Sequence, residues 1–219
     1  ESVMTKCQKS DIMCTQLPAA PLTAPAEQQS ANNREREKAL LPQEHPENID
    51  IPAYQNGVIP LNSLRNAKAV LYLDFDGEEG PQEGWGDFDC LPSGNTNAQI
   101  KDIWERVSED MAPFSINVTT DLQVYLDAVE TNRLRVIITP TSDALPGAGG
   151  VAYYNSFNWA GDSPVFSFNL RGKYSAETIT HESGHALNLE HHGNATTGYY
   201  PGHGSGSVSW VPCMGYSYS

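Results

Sequence analysis

His181-Glu182-Ser183-Gly184-His185-Ala186-Leu187-Asn188-Leu189-Glu190-His191 is the stretch on which the reading of this chain turns. Ser175 is a suitable N-cap, and a helix is expected from Ala176 to about Leu187. On that helix His181 and His185 stand one turn apart and leave the same face. Two imidazole nitrogens so placed converge on one ion at about 2.0–2.1 Å each. Glu182 adjoins the first of them and reaches a water on the ion without being a ligand. A straight helix cannot bring His191 to the same point, because it lies six residues beyond His185. The chain must bend, and Asn188 stands where the bend is needed; after glycine, asparagine best tolerates the left-handed backbone that ends a helix. Three histidines leave a fourth coordination position open, the arrangement of catalytic rather than structural zinc. His192 would replace His191 only if the bend differed by one residue, His203 is expected in a loop, and His45 carries no argument.

Upstream, Ala69-Val70-Leu71-Tyr72-Leu73-Asp74-Phe75-Asp76-Gly77 is the first expected strand, closed by an Asp-Gly turn. Asn97 is the expected cap of a helix in which Ile100, Ile103, Trp104, Val107 and Met111 recur at three- and four-residue intervals, ending near Pro113. Further strands are expected at residues 115–119, 135–139, 149–155 and 165–169, with a short helix over 122–129. Strands interleaved with helices indicate an α+β chain whose mixed sheet is covered by helices. Tyr153, Tyr154, Phe157 and Trp159 belong either to substrate pockets or to the core and its rim.

The eleven residues from His181 resemble the extended zinc signature of the metzincin metallopeptidases, with Asn188 where that clan usually has glycine. Cys213-Met214-Gly215-Tyr216 begins shortly after and resembles the clan's second hallmark, a tight turn that sets a methionine, here Met214, beneath the zinc site. The resemblance covers roughly residues 68–216. It implies a zincin-like fold: a twisted mixed β-sheet with an antiparallel edge strand, packed on an active-site helix and a backing helix. It implies a zinc-dependent endopeptidase with Zn2+ on His181, His185 and His191 and Glu182 as general base. Tyr216, or Tyr218 in its stead, would help stabilise the tetrahedral intermediate. Gly150, Val151, Ala152 and Tyr153 would form the edge strand that holds an extended protein or peptide substrate by main-chain pairing.

The formal charge of -14 is unevenly spread: residues 1–66 carry six basic and eight acidic groups, residues 67–219 seven and nineteen. So negative a field repels phosphate backbones and anionic membranes, which argues against nucleic acid as a partner. No run approaches the roughly 18–20 apolar residues that cross a bilayer. Asp74, Asp76, Glu78, Glu79, Asp87 and Asp89 cluster among glycines; Ca2+ is a second candidate ion there, but the spacing matches no EF-hand, and a solvated acidic loop is the simpler reading.

Residues 1–66 contain seven prolines and few aromatics and cannot build a core of their own. They are an N-terminal extension or pro-segment, with residues 67–219 as the catalytic domain. The four cysteines suit an oxidising compartment, so the chain is expected to be secreted, or periplasmic. Cys7 with Cys14 and Cys90 with Cys213 is one pairing among three. Alternatively the thiolate of Cys7 or Cys14, or the carboxylate of Asp50, caps the open zinc position in a latent form. The reading is thus a secreted, monomeric zinc endopeptidase; its rival is a catalytically silent extracellular zinc-containing binding or adhesion module.

Overall fold

Alternation along the central strands decides what covers each face of the sheet. The computed structural model describes residues 57–194, 196–206 and 209–215, with the backbone of Ile12 and Met13. In chain order the elements are β1 (Ile12–Met13), β2 (Ala69–Asp74), β3 (Pro81–Gln82), β4 (Gly86–Asp87), α1 (Asn97–Asp110), β5 (Ile116–Thr119), α2 (Leu122–Asp127), β6 (Arg133–Ile138), β7 (Gly150–Tyr153), β8 (Val165–Ser167) and α3 (Gly172–Ala186). The main sheet has the order β1-β7-β8-β6-β2-β5. Its β5, β2, β6 and β8 are parallel neighbours. β7 runs antiparallel to β8, and β1 antiparallel to β7. The chain is therefore mixed α/β with a mostly parallel sheet and three helices, as the interleaved pattern implies.

Leu71 and Leu73 of β2, Leu134, Val136 and Ile138 of β6, Ala152 of β7 and Val165 of β8 pack with Ile100, Ile103 and Val107 of α1 and with Ala176 and Ile179 of α3. Residues of the opposite parity face the other way, as a period of two requires. Val70 and Tyr72 meet Tyr125 of α2. Ile137, Val151 and Phe166 meet Cys90 under Trp85 and Phe88 of the β3–β4 region. With both faces covered, the strands are runs of buried residues rather than half-exposed alternations. Even β5, expected to alternate, is buried throughout.

Two local expectations change. The cap of α1 is Thr96, not Asn97: Thr96 Oγ1 accepts from Gln99 N while Gln99 Oε1 accepts from Thr96 N at 2.9 Å, a complete capping box. Asn97 turns back instead, and its Oδ1 accepts from Ile59 N at 3.1 Å. Cys90 and Cys213 are both free thiols. Cys90 is buried in the cluster under Trp85, on one face of the sheet, whereas Cys213 lies on the turn beneath α3, on the other. A disulfide needs Cα atoms within about 7 Å, which a sheet between the two denies.

The boundary at 66/67 also acquires detail. Ser63 N donates to Val118 O at 3.0 Å and Thr120 N to Leu61 O at 3.1 Å, and Val58 and Ile59 pack on the helical core. Residues 58–63 thus close the β5 edge of the sheet. The acidic segment after β2 is organised around a cation of the protein itself. Arg135 is nearly buried between Asp74, Glu78 and Asp162, with Nη2 at 2.7 Å from Asp162 Oδ2. Burial, with the neighbouring Asp76, pushes the Asp74 carboxyl well above the ordinary range, and Arg135 opposes that shift. Arg135→Ala leaves these carboxylates without their counter-ion and is expected to cost about 3–5 kcal/mol. Urea unfolding measures it, and an unchanged midpoint would refute the role given to Arg135.

Candidate metal centre

α3 carries polar residues that are almost all buried from Ser175 to Ala186. It starts a turn earlier than expected, because Gly172, at φ 51°, lets the chain enter the helix directly after Arg171. Ser175 is therefore inside the helix and fully buried rather than its cap. Its Oγ meets no hydrogen-bond partner among the described residues, whereas two other buried hydroxyls of the helix are paired: Asn169 Nδ2 donates to Thr178 Oγ1 at 2.9 Å, and Thr180 Oγ1 donates to Asp110 Oδ2 at 2.9 Å.

The helix ends at Leu187, and Asn188 takes the left-handed conformation at φ 73°. Asn188 N donates to His185 O and Leu189 N to Gly184 O, each at 2.9 Å. These two bonds, with the Leu189 side chain folded back over Gly184, make a Schellman motif. The loop after β7 meets the remaining carbonyl of the last turn through Phe157 N to Ala186 O, and gives His185 O a second donor in Asn155 N. The chain thus leaves the helix axis at once, which is what His191 requires.

His181 and His185 are fully buried with ring centroids 4.8 Å apart. His181 Nδ1 lies 2.7 Å from Cys213 O, and His185 Nδ1 lies 2.8 Å from Leu189 O. A carbonyl oxygen only accepts, so both Nδ1 atoms carry the proton and both Nε2 atoms offer lone pairs. His191 Nε2 lies 2.9 Å from His185 Nε2, and the ligand atoms of all three histidines fall within 4.8 Å of one another. Tetrahedral coordination at about 2.0–2.1 Å sets neighbouring nitrogens about 3.3 Å apart, between those two distances. His181 Nε2 is buried and meets no hydrogen-bond partner among the described residues. A polar atom so placed is costly unless something else engages it. Three clustered imidazoles, two of them with Nε2 lone pairs left to coordinate, fit a metal ion, and zinc, copper, iron and nickel all accept such donors.

Glu182 is fully buried on the same helix. A Cβ on Gly150 would stand 2.8 Å from Glu182 Cγ and 2.5 Å from Thr178 Cγ2, so the absence of a side chain there lets β7 lie directly on the motif. Gly184 serves the same purpose below, since any Cβ would collide with Met214 Sδ. Met214 is buried, with its Sδ against Gly184 of the helix. His192 is exposed and engages by backbone alone, its N–H donating to Met214 O at 2.7 Å. His203 Nδ1 pairs with Tyr200 Oη at 2.9 Å, away from the triad.

Val151 and Ala152 are buried, and Tyr153 points into the protein, where its ring packs on Trp85 at 4.2 Å and its hydroxyl donates to Gly84 O. What β7 offers is therefore backbone, and that backbone pairs with β1 through Ile12 opposite Tyr153 and Met13 opposite Ala152. Cys7, Cys14, Asp50, Tyr216 and Tyr218 lie outside the described residues. The acidic cluster forms no further group of metal-ligand geometry among the described residues. Sequence reasoning missed Tyr199, whose ring covers His191, because no periodicity links it to the motif. No family model matches the chain, and neither a curated protein nor a solved structure matches it. Among the described residues no helix is long and apolar enough to cross a membrane.

Two outcomes follow from this geometry. L-residues other than asparagine resist the conformation at Asn188 by about 1–2 kcal/mol. Asn188→Gly should keep both stability and metal affinity, and Asn188→Val should lose both. Equal metal affinity in the two variants, measured by chelator competition, would sink the role assigned to the bend. Burial lowers His181 to about 3 and His185 to about 4, each helped down by a neighbouring histidine, from an ordinary value of about 6.5. The unfolded chain thus binds protons first, and stability present above about pH 6.5 is lost as pH falls toward 4 and then 3. Urea midpoints of the metal-free protein should fall between pH 7 and 5; a flat profile would contradict the burial.

Proposed function

We propose that this chain is a zinc-dependent endopeptidase with a zincin-like fold, acting outside the cytoplasm on extended protein or peptide substrates. The observation that carries the reading is the convergence of His181, His185 and His191 on one point, with Glu182 buried on the same helix beside the backbone of β7. Cys213 O and Leu189 O orient the two helix histidines, and the bend at Asn188 delivers the third. A zinc ion held there supplies Lewis acidity, polarising a carbonyl and making water acidic near neutral pH. Glu182 takes the proton from the attacking water and returns it to the leaving amine. The edge of β7 away from β8 receives the substrate as an added antiparallel strand in place of β1, which needs main-chain pairing alone and suits a strand whose side chains are buried.

The pairing of β1 with β7 supports that use of the edge and gives the N-terminal segment a role as its resident occupant. On this reading residues 1–66 are a pro-segment, and Cys7, Cys14 and Asp50 are its candidates for closing the fourth metal position. A truncation that tests latency should stop before residue 57, because residues 58–63 pair with β5.

The test is Glu182→Gln. The variant should keep its zinc but lose about 10²–10⁴-fold in hydrolysis of casein or a mixed peptide library. Chelation should abolish the activity of the natural sequence. A Glu182→Gln variant of full activity overturns the mechanism. Zinc binding with no hydrolysis, before and after removal of the N-terminal segment, favours the silent binding module.

A further inference from the structure

We propose that Tyr199 is the positioning residue for His191, acting through its ring rather than its hydroxyl. The inference rests on the reading of the three histidines as a metal centre and is independent of peptidase activity. The three candidate ligands are held unequally. His181 and His185 stand on a helix, are fully buried, and have their Nδ1 protons fixed by Cys213 O and Leu189 O. His191 stands beyond the helix end and is only half-buried. Among the described residues no carbonyl or carboxylate meets its Nδ1; its hydrogen-bond contact is the 2.9 Å approach of its Nε2 to His185 Nε2. An unanchored imidazole keeps rotational freedom that metal binding would have to remove.

Tyr199 fills that role by packing its tilted ring against the imidazole. Its ring centroid lies 4.2 Å from that of His191 with 38° between the planes, and 6.3 Å from that of His181. The contact is built by the backbone. After His191 the chain forms a hairpin in which Asn194 and Thr197 exchange backbone hydrogen bonds at 2.8 and 3.3 Å. Tyr200 N donates to His192 O, and His192 N donates to Met214 O at 2.7 Å. Gly193 packs directly against the backbone of Thr197 and Gly198, leaving no room for a side chain. This hairpin returns the chain so that Tyr199 covers the ring of the residue just before it. Coordination draws electron density from an imidazole, and the π face of a phenol ring attracts a neighbour so polarised at separations within about 6 Å. Tyr199 therefore favours the metal-bound state of His191 as well as its orientation.

The experiment uses the full chain carrying Tyr199→Phe, Tyr199→Leu or Tyr199→Ala, with folding checked by circular dichroism. Zinc affinity is measured by competition with a chromophoric chelator, and the visible spectrum of the Co2+-loaded protein reports ligand geometry. Tyr199→Phe should bind zinc as the natural chain does, with the same cobalt spectrum. Tyr199→Leu and Tyr199→Ala should weaken zinc by about 10–100-fold, the usual cost of removing a group that orients a ligand, and should shift the spectrum. Natural affinity and spectrum in Tyr199→Leu overturn the proposal, as does an equal loss in Tyr199→Phe and Tyr199→Leu, which would assign the effect to the hydroxyl. Should Tyr199→Ala fail to fold, the Phe and Leu pair still decides. A natural chain that binds neither ion overturns the metal-centre reading itself, and this is seen before any substitution is made.

Discussion

The left-handed residue at Asn188 is the constraint on which the site depends. An α-helix can align two histidines one turn apart, but it carries a third further along and around its axis. Stopping the helix at Leu187 resolves this in four residues. The Schellman bonds satisfy the carbonyl groups of Gly184 and His185, and the redirected chain aims Leu189 O at His185 Nδ1. One turn geometry thus caps the helix, fixes a tautomer and supplies the third imidazole. Tyr154 Oη donates to Asn188 O at 3.0 Å, tying the bend to the loop after β7.

Placing so polar a helix in the interior requires the rest of the molecule to be arranged around it. A buried imidazole or carboxylate is costly without partners. The sheet answers by covering its other face completely, with α2 on one half and the β3–β4 region on the other, so that α1 and α3 share the remaining face. Two glycines then set the distances. Gly150 lets β7 approach from above and Gly184 lets Met214 approach from below, so α3 is gripped at the level of Glu182 and His185. The dense acidity of the domain is handled apart from this, on the opposite side of the sheet, around Arg135.

Much of this was legible because it rests on local geometry. The one-turn separation of His181 and His185 and the tolerance of asparagine for positive φ are properties of a few adjacent residues, and the strand and helix positions followed from apolar periodicity. Thr96 was legible too: Thr96-Asn97-Ala98-Gln99 is a capping-box pattern, and the nearer asparagine obscured it. Ser175 misled because a glycine at φ 51° can begin a helix without a side-chain cap. What sequence spacing could not convey were distances across the fold: the sheet between Cys90 and Cys213, the inward turn of Tyr153, and the hairpin that lays Tyr199 on His191.

The pairing of Ile12 and Met13 with β7 has a consequence for how the chain meets other molecules. An uncovered edge strand is a template for any extended chain, and proteins guard such edges against association. A segment of the same chain presents itself to its own edge at an effective concentration set by chain connectivity and not by the solution. Any free peptide that uses β7 must displace it against that concentration. The same two residues therefore guard the sheet against aggregation and set a threshold of affinity, so that losing the tether would lower both barriers together.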